Sequence, residues 1–432
     1  MKKITYPAPG FWQNLAKACP LERLASPEIR NHVARIVDDV RERGDQAVVD
    51  WTAKIDKIVT TPQEYAVSAK ELHRASRQLS PEDQGMIQRA IDSIESFHKQ
   101  SFPQSWQGKN PHGALVGEMH YPLQRIGIWI PGGNTPLLST VVMTVGLARV
   151  AKVSEIVVCT PPQAKGGVSP ILLAMLDKFH IQEVYCIAGV AAIGAMAYGT
   201  DTIKSVDKIF GPGNAYIVEA KRQVYGQVGI DLLPGPSEIM VLSDGLSSPT
   251  YAAADLLAQA EHGSGRERLF LVATDSTWID RVKVAMQAQL PQLTRAKVIQ
   301  PVLDHNFVIV ETGTLAQAVE VANAIAPEHL ELHVEKEIAL SLAKTIRTAG
   351  ALFLGEESPA ALGDFTAGPS HTLPTGGTGR FSSGLQITDF LRRSSLVQYD
   401  ARSLYQAEPI ISMFSRLEKL DAHAASVKAR IL

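Results

Sequence analysis

The sequence has few cysteines, no excess of positive charge and no long uninterrupted hydrophobic run. Its cysteines, Cys19, Cys159 and Cys186, are too few and too scattered for a disulfide framework or a thiolate zinc site. Lys and Arg total 42 against 44 for Asp and Glu, which argues against a dedicated nucleic-acid-binding protein. The most apolar stretch, residues 126–150, is interrupted by prolines and glycines, so we expect no membrane segment.

We also expect no targeting signal at the beginning of the chain. MKKITYPAPGFWQ has a basic start but no apolar segment of the kind that signal peptides carry. With 45% hydrophobic and 20% charged residues, the 432-residue chain has enough apolar material for a large core. We therefore expect a soluble cytoplasmic enzyme with no nucleic-acid or membrane partner.

The pattern of apolar residues predicts an α/β protein. Residues 29–54 and 69–99 have helical spacing, and Ser80 followed by Pro81 marks a helix start. From residue 123 onward, short β-rich runs alternate with helical ones, which is typical of parallel sheets covered by helices. The number of runs favours two sheets in two domains. The predicted strands are 123–130, 155–160, 183–187, 207–210, 238–242, 268–273, 307–311, 329–334 and 351–355.

Residues 363–384 break this alternation. GDFTAGPSHTLPTGGTGRFSSG contains six glycines and two prolines in 22 residues, yet it is too rich in Phe, Leu and Thr for a simple linker. A long irregular segment inside a compact enzyme is usually functional. After it, residues 385–432 are predicted to form a short helix and then a long one.

Four histidine settings could carry chemistry. Gln259 and His262 share a helix face and could ligate a metal, although a histidine at a helix end is also stabilised by the helix dipole. Glu328 and His329 follow Pro327 at a helix-to-strand junction, where they could act as acid and base or form a solvated pair. Side chains of adjacent strand residues point to opposite faces, so both serve one site only if the junction is irregular.

The other two settings lie near the C-terminus, and the remaining histidines, His333 among them, have nothing further to mark them. Asp364, at the start of the irregular segment, could be a metal ligand or an Asx-turn residue, and His371 follows it. Glu418 and His423 lie on the last helix, where a solvated amphipathic face is the better explanation when the pair is considered alone.

Two glycine turns could bind a nucleotide. Gly211-Pro212-Gly213-Asn214 lies between a strand and a helix, so its backbone N–H groups could face a phosphate, but a tight β–α turn explains it as well. Residues 131–133 have the same character, and residues 233–238 could present the Ser237 hydroxyl. A full GxGxxG does not occur in the chain.

Taken together and in order, several stretches resemble the histidinol dehydrogenase family. They are KIFGPGNAYIVEAKRQV, GPSEIMVL, LLAQAEHG, APEHLEL, GDFTAGPSHTLPTGGTGRFSSG and LEKLDAHAASVKAR. The resemblance covers nearly the whole chain and implies NAD-dependent oxidation of L-histidinol to L-histidine through an aldehyde, with one zinc ion per site. It also implies a homodimer whose C-terminal segment, with His371, Glu418 and His423, completes the partner's site.

The resemblance assigns a role to each candidate. His329 would take the alcohol proton, and Glu328 would activate water for the second oxidation. The implied zinc ligands, which also surround the substrate, are Gln259, His262, Asp364 and His423. The further substrate contacts are Ser237, His329, His371 and Glu418. The implied NAD contacts are Trp129, Ala191 and Asn214, of which the first two replace the usual Tyr and Gln; Pro234 replaces the usual Ala.

The family arrangement implies two Rossmann-like domains, a helical N-terminal extension and a domain-swapped C-terminal segment. Residues 1–26 would be the extension, 27–128 with 238–378 the metal and catalytic domain, 129–237 the cofactor domain, and 379–432 the swapped segment. Three alternatives remain: a paralogous dehydrogenase of another small polar alcohol, a zinc hydrolase with Glu328 as base, and a zinc-binding dimer that has lost its cofactor.

Overall fold

The computed structural model describes residues 2–19, 25–132, 137–164 and 166–431. The predicted strands are all present, with ends shifted by at most two residues, and further short strands accompany them. In chain order the strands are β1 (Lys2–Tyr6), β2 (Trp106–Lys109), β3 (Leu115–Pro122), β4 (Arg125–Trp129), β5 (Glu155–Thr160), β6 (Glu183–Cys186), β7 (Lys208–Phe210), β8 (Gly229–Ile230), β9 (Glu238–Ser243), β10 (Arg268–Ala273), β11 (Phe307–Thr312), β12 (His329–His333), β13 (Ala351–Leu354) and β14 (Leu391–Gln398).

Helices connect most of these strands. They are α1 (Phe11–Ala18), α2 (Pro27–Arg43), α3 (Asp45–Asp56), α4 (Ala69–Ser76), α5 (Pro81–Gln100), α6 (Leu138–Val150), α7 (Pro170–Lys178), α8 (Gly189–Tyr198), α9 (Ala215–Val224), α10 (Pro249–Ala260), α11 (Ser276–Gln289), α12 (Ala296–His305), α13 (Leu315–Ile325), α14 (Lys336–Ala343), α15 (Ala360–Phe365), α16 (Ala401–Glu418) and α17 (Asp421–Lys428). Short 3-10 turns cover Leu290–Gln292, Thr378–Arg380 and Ile387–Phe390. Within the described ranges no helix is both long and apolar enough to cross a membrane.

Local signals explain where the N-terminal helices begin and end. The predicted helix over 29–54 is divided because Gly44 takes a left-handed φ of 56°, a conformation that glycine adopts at little cost. Ser80 begins α5 as predicted, and its hydroxyl accepts a hydrogen bond from the Asp83 N–H.

The larger sheet is parallel, with the strand order β1-β11-β10-β9-β12-β13 in the described chain. Helices α10, α11 and α12 cover one face, and α1, α13 and α14 cover the other. The first strand pairs with β11, so the N-terminal segment is not a separate helical extension. Residues 2–6 are instead an edge strand of this larger sheet.

The smaller parallel sheet has the order β6-β5-β4-β7-β8 among the described residues. The chain starts in the middle, moves outward to β6 and then returns to the other side of β4. Such a doubly wound order opens a crevice at the carboxyl ends of the two strands where the direction reverses, here β4 and β7. The turn at residues 211–214 follows β7 at this crevice.

The grouping of residues 27–128 with 238–378 is wrong. Helices α2 and α3 pack with α8 and α9 on one face of the smaller sheet, and α4 and α5 pack with α6 and α7 on the other. Val40 and Ile94, for example, are buried in these two cores. The apolar faces of the N-terminal helices therefore serve as the cover of the smaller sheet, and β4 itself begins at Arg125.

The C-terminal segment also differs from the prediction. Residues 391–398, which lie within the segment predicted to form a short helix and then a long one, instead form β14, which pairs antiparallel with β3 in a third, small sheet. The long helix is α16 and the short one, α17, follows it. Large apolar side chains remain exposed along α16: Tyr405, Ile410, Met413, Phe414 and Leu417.

Candidate active site

Glu328 and His329 lie at the amino end of β12, which pairs with β9 and β13 in the larger sheet. Ala326 closes α13 in a left-handed conformation with φ 51°, and Pro327 then leads into the strand. The junction is therefore irregular, which is the condition for both side chains to serve one site. Both are buried, at 5% and 4% exposure, and His329 Nδ1 lies 3.6 Å from Glu328 Oε2.

The peptide groups of Glu238 hold both side chains. The Glu238 N–H donates to Glu328 Oε2 at 2.7 Å, and the Glu238 carbonyl lies 2.9 Å from His329 Nδ1. Because a carbonyl can only accept, Nδ1 carries the proton and Nε2 keeps a lone pair when the ring is neutral. His329 Nε2 lies 3.9 Å from Asp364 Oδ1, so the basic nitrogen is directed toward that carboxylate.

Burial shifts the pKa values of both groups in the directions that favour their uncharged forms. It raises the pKa of Glu328 well above its usual value, against the lowering effect of the Glu238 N–H. Burial lowers the pKa of His329, and Asp364 opposes that shift. A neutral imidazole and a carboxyl group that can hold a proton thus lie side by side.

Gln259 and His262 reach this place from the end of α10. Gln259 is buried, and its Nε2 lies 3.5 Å from His262 Nδ1, which also faces the Gln259 carbonyl at 3.1 Å. Gly263 follows with φ 91°, a left-handed conformation typical of a helix C-terminus. The amide and the imidazole are therefore adjacent, as their spacing predicted.

Asp364 and His371 complete the cluster within the same chain. Asp364 lies in the last turn of α15 and is not an Asx-turn residue. Burial lowers the pKa of His371, the Asp364 carboxylate opposes that shift, and His329 and His262 reinforce it, so the charges of these groups act on one another. The Nε2 atom of His371 is buried without a hydrogen-bond partner in the described chain. His371 thus belongs to its own chain's cluster, and its expected assignment to the partner's site is wrong.

The single chain does not bring the last two predicted residues to this cluster. Glu418 and His423 are exposed, and α17, which carries His423, packs on α16 and buries none of its described side chains. Ser237 is half-buried directly before β9, and its carbonyl accepts from the Arg268 N–H at 3.0 Å. It therefore lies next to the Glu238 peptide that holds the Glu328–His329 pair.

The predicted cofactor residues fall into two groups. Asn214 is exposed at the crevice of the smaller sheet and caps α9, where its Oδ1 accepts from the Tyr216 and Ile217 N–H groups. Ala191 is fully buried in the core of that sheet, so a cofactor cannot touch its side chain, and this contact is wrong. Trp129 is 4% exposed and packs in the same core, where a Cβ on Gly189 would lie 3.1 Å from its ring.

A buried ion pair fixes the turn at residues 211–214. Lys221 Nζ donates to the Gly211 carbonyl at 2.8 Å, and Asp231 accepts from the Gly211 N–H at 2.7 Å. The two side chains also contact each other and are both fully buried. Of the similar turn predicted at residues 131–133, Gly133 lies outside the described residues.

Sequence reasoning missed a second polar cluster beside the site. His333, expected to be ordinary, lies 3.0 Å from Glu331 and 3.5 Å from Asp255, measured from its Nε2 to a carboxylate oxygen. Although burial disfavours its charged form, these carboxylates raise the pKa of His333 to about 9, and burial raises that of Glu331 to about 7. The signal was a buried strand with polar residues at every second position, 329, 331 and 333.

Comparison with known proteins shows the family to which the chain belongs. The model of the histidinol dehydrogenase family matches residues 21–431. A histidinol dehydrogenase of Gluconobacter oxydans is 37% identical over 431 residues, which are 100% of this chain and 99% of the relative. Histidinol dehydrogenase 2 of a Nostoc species is 41% identical, with 92% of each chain covered. The crystal structure of histidinol dehydrogenase from Elizabethkingia anophelis is similar with a TM-score of 0.94 at 33% identity, covering 100% of this chain and 98% of that one.

Proposed function

Because the chain belongs to the histidinol dehydrogenase family, a family of oxidoreductases, we propose that it oxidises L-histidinol to L-histidine in two NAD-linked steps through the aldehyde. The observation that carries this proposal is the convergence of Gln259, His262, Asp364 and His371 on the Glu328–His329 pair. A set of nitrogen and oxygen donors next to a buried base suits the binding and deprotonation of a polar amino alcohol.

The donor set fits a zinc ion. Gln259, His262 and Asp364 offer an amide, an imidazole and a carboxylate, which are ligands that zinc accepts, and the unpartnered Nε2 of His371 lies beside them. These residues would hold the ion with His423 as the fourth ligand. When bound, zinc supplies positive charge that orients the substrate's amine, imidazole and hydroxyl groups.

His329 acts as the base in the first oxidation. Its Nδ1–H donates to the Glu238 carbonyl, so Nε2 is the atom that receives the hydroxyl proton while the carbon loses hydride. Bound NAD supplies the hydride acceptor, and the exposed Asn214 at the crevice of the smaller sheet is the predicted contact that fits it. In the second oxidation Glu328 takes a proton from the water that hydrates the aldehyde, and His329 again accepts the proton of the hydroxyl group that is oxidised.

We also propose a homodimer in which the C-terminal helices complete the partner's site. The exposed apolar side chains of α16 need a cover in solution, and an apolar surface of this kind is typical of protein–protein contacts. Glu418 and His423 are exposed on these helices and thus available to a second chain. Purified His262→Ala and His423→Ala variants, each inactive, should regain part of the activity when mixed, because a mixed dimer contains one intact site.

The direct test of function is a spectrophotometric screen for NADH. We expect L-histidinol to give the fastest reduction of NAD among small polar amino alcohols, with loss of the signal after chelation and recovery with zinc. Faster reaction with another alcohol would assign the chain to a paralogous activity, an alternative motivated by Trp129, which replaces the family's usual Tyr. NADH from no alcohol, together with cleavage of an amide, would favour the hydrolase.

Two substitutions separate the roles of the acid–base pair. His329→Asn keeps a donor for the Glu238 carbonyl but removes the basic nitrogen, so the first oxidation should fall by roughly 10²–10⁴-fold while zinc is retained. Glu328→Gln keeps an acceptor for the Glu238 N–H but cannot take a proton. It should slow oxidation of the aldehyde more than oxidation of the alcohol, and equal losses in both steps would contradict its role.

A further inference from the structure

A row of polar side chains extends from the candidate site along β12 into the interior of the larger sheet. His329, Glu331 and His333 lie on one face of β12, because strand residues two apart point the same way. Asp255 and Gln259 lie on one face of α10, one helical turn apart. His329 and Gln259, at one end of this row, belong to the site. At the other end lie Asp255, Glu331 and His333, a cluster that we call the triad.

One nitrogen of His333 joins the two carboxylates of the triad. Its Nε2 lies 3.0 Å from Glu331 Oε2 and 3.5 Å from Asp255 Oδ2. The exposed fractions of the three side chains are 1% for His333, 0% for Glu331 and 13% for Asp255. In this setting two carboxylates repel each other strongly unless an N–H group lies between them. The His333 Nε2–H thus holds α10 to β12.

The remaining oxygen of Glu331 extends the connection to a third element. Its Oε1 accepts a hydrogen bond from the Ala360 N–H at 2.6 Å. Ala360 begins α15, and Asp364 follows one helical turn later on that helix. Each contact of the triad is therefore within one turn or two residues of a group in the candidate site: Asp255 of Gln259, Glu331 of His329, and Ala360 of Asp364.

We propose that the triad is a positioning device that sets the distance between the groups on α10, β12 and α15 that hold the metal and the substrate. This inference rests on the proposed function, because it assigns a task to residues behind the same site. Neither Asp255, Glu331 nor His333 is assigned contact with zinc or substrate. Loss of the His333 donor should separate α10 from β12, move Gln259 and His262 away from Asp364, and so weaken zinc binding.

The test measures zinc affinity directly by competition with a chromophoric chelator, so that it does not depend on turnover. His333→Leu removes the donor, and we expect zinc affinity to fall about tenfold or more. His333→Gln places an amide N–H near the position of Nε2 and should stay within about threefold of the parent. Thr312→Val is the matched control, a buried polar residue of the same sheet separated from β12 by β9 and β10, and should leave affinity unchanged.

Asp255→Asn guards against loss of folding in His333→Leu, because Asp255 is at the more accessible end of the triad. We expect it to weaken zinc binding by a smaller factor while the melting temperature stays near that of Thr312→Val. Parent-like zinc affinity in Asp255→Asn and in a folded His333→Leu would overturn the positioning role and leave the proposed function intact. Two zinc ions per parent chain, one lost in His333→Leu, would also overturn it by making the triad a metal site. A parent chain that binds no zinc and produces no NADH would overturn both proposals.

Discussion

Replacing Lys221 by methionine tests whether the buried ion pair supports the turn at residues 211–214. Methionine keeps most of the volume but leaves the Asp231 carboxylate without its cation and with only the Gly211 N–H as donor, and it leaves the Gly211 carbonyl without the Lys221 ammonium. Because both partners are fully buried, removal of one leaves an uncompensated charge, and we expect a loss of about 3–5 kcal/mol in unfolding free energy. Burial also raises the pKa of Asp231, so uptake of a proton by its carboxyl group would bring the loss to the lower end of this range.

Urea denaturation followed by tryptophan fluorescence and circular dichroism measures this loss. If the two sheets unfold in separate transitions, the change should appear in that of the smaller sheet, which carries both residues. Lys283→Met is the matched control, because Lys283 pairs with Asp280 on the surface and its loss should be barely measurable. The double variant Lys221→Met, Asp231→Asn should recover part of the stability. A change in Lys221→Met as small as the control's would refute the reasoning.

Three further predictions follow from local features. His98 is buried, and burial lowers its pKa to about 4, so as the pH falls below ~6.5 the unfolded chain binds a proton at this residue before the folded chain does. Between pH 8 and pH 5 the unfolding free energy of His98→Leu should therefore fall about 2 kcal/mol less than that of the parent, and an equal fall would contradict this. Gly211→Ala should lower the melting temperature strongly, because its Cβ would lie 2.0 Å from the Trp129 carbonyl oxygen. Gly226→Ala, also at positive φ but facing open space, should lower the melting temperature little. Similar shifts in the two variants would contradict the steric reason. Dialysis against a chelator should lower the melting temperature of the parent, with recovery on adding zinc, and an unchanged melting curve would count against a bound metal.

The sequence predicted nine of the eleven described strands of the two parallel sheets, because buried parallel strands form continuous apolar runs that local composition reveals. It missed β1 and β8, which lie at the edges of their sheets. It could not predict which sheet the N-terminal helices cover, since the apolar faces of α2 and α5 fit either one. Residues 391–398 were mistaken for helix because LRRSSLVQ is an exposed edge strand, and only its pairing with β3 stabilises the extended form.

The candidate site was predicted to a similar extent. Gln259 with His262, and Glu328 with His329, were visible as local pairs, and the structure brings them together. The roles of Glu238 and of the triad were not visible. Glu238 acts through its peptide group, which every residue has, so its side chain gives no signal in the sequence. The triad depends on contacts between β12, α10 and α15, which are far apart in the chain. Ala191 was assigned by resemblance, which does not report that its side chain is buried.

The two groups proposed to move protons share a single anchor, the peptide of Glu238 in the middle of six strands. Thermal motion of a surface loop therefore cannot change the spacing between them. A shift of β9 would carry both along and alter their alignment with the bound alcohol by the same amount. Agents that loosen this sheet without unfolding it should thus slow both half-reactions in parallel, and the aldehyde should not accumulate as activity declines.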